Sequence, residues 1–87
     1  MTLRTFVLYV EDRPGVLDRV ASLFRRRAYN IDSLAVTRTD RPGVSRIIVE
    51  VLADAETARR MEAHLYKLIN VLQVQDITLQ APLRAAK

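Results

Sequence analysis

The sequence predicts a single α+β domain in which two helices cover one face of a four-stranded antiparallel sheet. Three observations support this. Across 87 residues the hydrophobic period switches between two and 3.6 in the order βαββαβ. Pro-Gly pairs at 14–15 and 42–43 punctuate the pattern. Each helical segment carries a single apolar stripe, so one sheet face can satisfy both.

The first strand is read over Leu3 to Glu11, LRTFVLYVE, rich in aromatic and β-branched residues, with Phe6, Leu8 and Val10 on one face and Val7 and Tyr9 on the other. After Pro14-Gly15 the apolar residues Leu17, Val20, Ala21, Phe24 and Ala28 take helical spacing, and Asp18, Arg19, Ser22, Arg25 and Arg26 face away. Asn30 to Thr39, NIDSLAVTRT, and Val44 to Leu52, VSRIIVEVL, are strand-like and flank DRPG, which makes them a hairpin. Asp54 is placed to cap a second helix whose first turn holds Glu56 and whose stripe is Ala58, Met61, Leu65, Leu68 and Ile69. A last strand spans Leu72 to Gln80, ahead of Pro82 and a polar tail. The domain is thus expected over residues 1–80, with 81–87 as tail.

This order is the ferredoxin-like arrangement, and the crossover rule makes the first and third strands central. The second and fourth become edges. The second carries Ile31, Leu34, Ala35 and Val36 without a proline or lysine to discourage pairing, so a symmetric homodimer through that edge is expected. A chain this short buries about 60–65% of the surface its unfolded form exposes, which makes such association valuable.

Composition narrows the function classes. Hydrophobic residues at 49% and charged residues at 28% describe a globular chain. Without cysteine there are no disulfides, thiolate metal sites or cysteine nucleophiles. The opening MTLRTFVLYVED ends in two acids rather than a small-residue cleavage site, and no run approaches the roughly 18 apolar residues of a membrane span. A cytoplasmic protein is expected. Net charge is +4, but Arg84 and Lys87 lie in the tail, which leaves twelve bases against ten acids.

An enzyme reading has little to rest on. His64, the only histidine, flanks the second apolar stripe, and Ser22, Ser33 and Ser45 have no histidine nearby in sequence. No thiamine, flavin or magnesium site is read, so the expected cofactor is none. Arg25-Arg26-Arg27 ends the first helix, where cations complement the dipole. A sheet that reads RNA would carry stacking aromatics on its third strand, and VSRIIVEVL has none.

The Pro-Gly junction is the candidate site. Gly15 and Val16 can offer helix N-terminal amides to a carboxylate. A tight strand-to-helix turn capped by Asp12 would explain the same residue types, and the local pattern leaves both readings open.

Over nearly its whole length the sequence resembles the ACT domain of the regulatory (small) subunit of acetolactate synthase, also called acetohydroxyacid synthase. PGVLDRVASLFRRRAYNIDSLAVTRTDRPGVSR carries the resemblance, and HLYKLINVLQVQDIT, residues 64–78, continues it. The resemblance implies a non-catalytic subunit that dimerises through its second strand. It implies docking on a thiamine-diphosphate-dependent catalytic subunit that is thereby activated, and feedback inhibition by a branched-chain amino acid, usually valine. It implies effector binding by Asp12, Gly15, Val16 and Ile31, with Asn30 contributed by the partner chain.

Two positions depart from the family pattern: Asp12 stands where valine-responsive members have asparagine, and Ala28 where glycine is usual. If position 28 needs φ > 0, alanine is strained there by about 1 kcal/mol. Many members continue into a second domain, and this sequence stops where that domain would begin. QAPLRAAK is compatible with a natural terminus, so a short-form subunit and an excised ACT domain both fit. A free-standing ACT amino-acid sensor and a small ferredoxin-like nucleic-acid-binding domain are the alternatives.

Overall fold

The computed structural model describes residues 2–78. Its elements are β1 (Thr2–Glu11), α1 (Val16–Arg26), β2 (Asn30–Arg38), β3 (Val44–Ala53), α2 (Ala55–Tyr66) and β4 (Val71–Asp76). The sheet order is β2-β3-β1-β4 and every pairing is antiparallel, so β1 and β3 are central as expected. The predicted end of the last strand, residues 79–80, and the tail lie outside the described residues.

Register explains the two-faced character of β1. Phe6, Leu8 and Val10 oppose Val49, Ile47 and Ser45, and this face packs against the helices. Val7 is buried on the opposite face, between Ile48 and Gln75. The core is closed by Val16, Val20, Leu23 and Phe24 of α1 and by Ala58, Met61 and Leu65 of α2.

Both helix stripes differ from expectation at their ends. α1 buries Val16, Val20, Leu23 and Phe24, and Leu17 is 44% exposed. The packed face runs through Val16, Val20, Leu23 and Phe24, and Leu17, about 100° round the axis from Val16, falls at its margin. Ala28 lies beyond the helix. Ile69, expected in the second stripe, is 91% exposed, because α2 ends at Tyr66 and helical spacing no longer applies. Leu68 alone folds back onto the core, its N–H donating to the Leu65 carbonyl at 3.1 Å.

The helix ends follow local chemistry. Asp54 caps α2, Oδ1 accepting from the Thr57 N–H at 2.7 Å, and this bond holds its carboxyl below the usual carboxylate range. α1 exits through a Schellman turn. The Tyr29 N–H reaches the Phe24 carbonyl at 3.1 Å and the Ala28 N–H the Arg25 carbonyl at 3.1 Å, with Ala28 left-handed at φ 57. The Phe24 and Tyr29 rings meet edge-on at 5.9 Å, which supplies the apolar contact typical of the motif. Alanine therefore occupies a glycine conformation, as its departure from the family pattern implied.

In the hairpin turn, Gly43 takes φ 76. The Thr39 hydroxyl braces the turn, donating to the Val44 carbonyl at 2.8 Å and accepting from the Arg41 N–H at 3.1 Å.

Candidate functional site

The β1–α1 junction is tight because Gly15 is left-handed at φ 83, and it is Gly15 that precedes the first helical residue. No side chain caps this helix end among the described residues. Asp12 is thus not the cap. Its N–H instead donates to the Gly43 carbonyl at 2.9 Å, which ties the junction to the hairpin turn, and its side chain is exposed. The Val16 N–H donates to the Arg13 carbonyl at 3.2 Å. An uncapped helix start with an exposed carboxylate beside it can serve both ends of a zwitterion.

A pocket of about 70 Å³ opens here, on the helix-bearing face. Val10, Ser45 and Ile47 lie in adjacent register on β1 and β3. Val16 and Leu17 of α1 bound the pocket, as does Val36, which opposes Ile47 from the edge strand. Glu11, Asp12 and Arg13 complete it. Leu17 and Val36, at 44% and 45% exposed, are its most open apolar members. The lining is apolar below and charged at one side, as a small amphiphilic ligand requires.

Asn30 and Ile31 lie elsewhere. Asn30 opposes Leu52, whereas Val10 opposes Ser45, so the two groups are seven residues apart along β3, about 24 Å at about 3.4 Å per residue. One chain therefore brings Asp12, Gly15 and Val16 together and leaves Asn30 and Ile31 at the far end of the sheet.

The sequence reading missed the support behind the junction. Asn70, 8% exposed in the turn between α2 and β4, donates to Glu11 Oε1 at 2.8 Å and accepts from Arg19 Nη1. Its carbonyl accepts the Glu11 N–H at 2.9 Å, and Arg13 Nε lies 3.6 Å from the same Glu11 carboxylate. The network fixes the end of β1 to the first turns of α1. Nothing local in the sequence signals it, since Glu11 and Asn70 are 59 residues apart.

His64 is half-buried, its Nδ1 3.2 Å from the Tyr29 hydroxyl. Burial, then the Arg27, Lys67 and Arg60 charges, lower its pKa below the usual imidazole value. It sits far from the pocket in the fold and holds the α1–β2 turn to α2.

A ferredoxin-like sheet with a pocket between its first helix start and its second-strand edge defines an ACT domain. The ACT domain of a GTP pyrophosphokinase from Chlorobium tepidum shares this fold, with a TM-score of 0.73 at 16% identity over 86% of this chain and 84% of that one. More particularly, the profile of the AHAS small subunit-like ACT domain matches residues 6–73, and the chain belongs to that family. It is 47% identical over 70 residues to an acetolactate synthase small subunit of Mycobacterium leprae, covering 80% of this chain and 41% of that protein. The crystal structure of the acetolactate synthase small subunit from Thermotoga maritima superposes with a TM-score of 0.83 at 36% identity, over 87% of this chain and 47% of the other. The chain spans about half the length of the curated relatives it matches.

Proposed function

We propose that this domain is the regulatory part of an acetolactate synthase. It pairs through β2 with a second copy, docks on the thiamine-diphosphate-dependent catalytic subunit in the cytoplasm and raises its rate. It also binds a branched-chain amino acid, valine first among them, as a feedback signal. Membership in the small-subunit family supports the partner, and the chemistry belongs to that partner.

The observation that carries the effector reading is the divided site. Two β2 strands paired antiparallel about Leu34 would bring Asn30 and Ile31 of one copy beside Val36 and the pocket of the other. The apolar lining from Val10, Val16, Val36 and Ile47 suits a short branched side chain. The α1 start would take the carboxylate through the Gly15 N–H and through the Val16 N–H, which would exchange its 3.2 Å bond to the Arg13 carbonyl for the ligand, and Asp12 would face the ammonium. Inhibition follows if the amino acid binds better to the less active arrangement of the complex, because a ligand shifts states only through differential affinity.

Mixing the full chain with an acetolactate synthase catalytic subunit and assaying acetolactate tests the main reading. A higher rate and co-elution are expected. An unchanged rate with separate elution would sink it. For the effector, millimolar valine should raise the melting temperature, and no shift would remove valine from the site.

A further inference from the structure

Val74 of β4 stands opposite Leu8 of β1, yet both of its backbone groups are bonded to one side chain. Its N–H donates to the Tyr66 hydroxyl at 3.1 Å, and that hydroxyl donates to its carbonyl at 3.0 Å. Opposed residues in an antiparallel ladder exchange both hydrogen bonds or neither. Val74 belongs to the second kind. Its N–H and C=O therefore point out of the sheet, toward the place an added strand would take, and Tyr66 reaches them from the last position of α2. The hydroxyl spends its one donor and one acceptor on them.

The other edge is built differently. β2 has nine residues, β3 as its only strand neighbour among the described residues, and eight exposed positions around a half-buried Leu34. It contains neither proline nor lysine. The sheet thus has one long edge available to a second chain and one short edge whose middle is occupied by a tyrosine.

We propose that Tyr66 closes the β4 edge to strand addition, so that a second copy of this chain joins only at β2 and assembly stops at two. The inference rests on the reading that β2 pairs with another copy. A β2–β2 pair makes an eight-stranded sheet with a β4 strand at each end, each under its own Tyr66. Opening those ends would add a second two-fold contact, and two different two-fold contacts on one sheet propagate without closure.

Sedimentation velocity of the full chain over a range of concentrations tests this, with circular dichroism to verify folding. Wild type should hold the mass of a dimer. Tyr66→Phe, which removes only the hydroxyl, should at least double that mass and make it concentration-dependent. Adding Gln73→Lys and Gln75→Lys to Tyr66→Phe places like charges across the new contact and should restore the dimer. A folded Tyr66→Phe variant that sediments as wild type at every concentration overturns the role of Tyr66. A monomeric wild type would refute β2 pairing instead. Tyr66 would then be judged by whether Tyr66→Phe converts monomers to dimers, and an unchanged monomer would overturn it.

Discussion

Asn70 Nδ2 donates to Glu11 Oε1 at 2.8 Å, joining the turn before β4 to the last residue of β1. The same side chain accepts from Arg19 of α1, so three segments meet at one nearly buried amide. Asn70→Ala removes the amide's hydrogen bonds to a carboxylate and a guanidinium, and should cost about 1–3 kcal/mol. Urea denaturation with an unchanged m-value would show this as a shift in midpoint. A midpoint equal to wild type would mean that water replaces the amide without loss.

Ala28 offers a gain in stability. At φ 57 its Cβ crowds the following carbonyl, and glycine removes that conflict while both Schellman hydrogen bonds remain. Ala28→Gly should stabilise the domain by about 1 kcal/mol, less glycine's greater freedom in the unfolded chain. A net gain near that size raises the melting temperature by about 4–8 °C in a domain this small. A lowered melting temperature would show that the unfolded-state entropy outweighs the strain.

His64 predicts a pH dependence of defined sign. Its folded pKa is depressed by burial and by Arg27, Lys67 and Arg60, so the unfolded chain takes up its proton first as the solution is acidified. The stability contribution is present above the unfolded value of 6.5 and is lost as pH falls through it toward the folded pKa. His64→Gln should flatten the stability profile between about pH 5 and 7. A mutant profile that still falls across that window would assign the dependence to other groups.

Asp12 distinguishes the two orientations of a bound amino acid. Facing the ammonium, an exposed carboxylate at about 4 Å contributes about 1 kcal/mol in water, so Asp12→Asn should weaken valine binding about fivefold at low salt. Calorimetry at two salt concentrations measures it. Tighter binding by the variant would put the carboxylate end beside residue 12.

The elements were legible because each rests on local pattern: alternation in β1, the Asp54 cap, the Pro-Gly turns. Their ends were less so. Leu17 and Ile69 obey helical spacing in the sequence but fall outside the packed face, because Leu17 sits about 100° round α1 from Val16 and lines the pocket, and Ile69 lies beyond the end of α2 at Tyr66. The pocket was half legible. Gly15 and Val16 announce a helix start, whereas Val36, Ile47 and Ser45 join it only through the hairpin register, and Asn70 and Tyr66 act through contacts that exist only once the sheet has formed.

Seven positions along β3 separate the two groups expected to hold one amino acid. If two chains complete each pocket, effector affinity obeys mass action in the protein itself. Dilution below the dimer's dissociation constant would weaken valine binding while every residue stayed in place, and saturating valine would in turn hold dimers together. A cell could then tune its sensitivity to end product by how much of this subunit it makes, with no change in sequence.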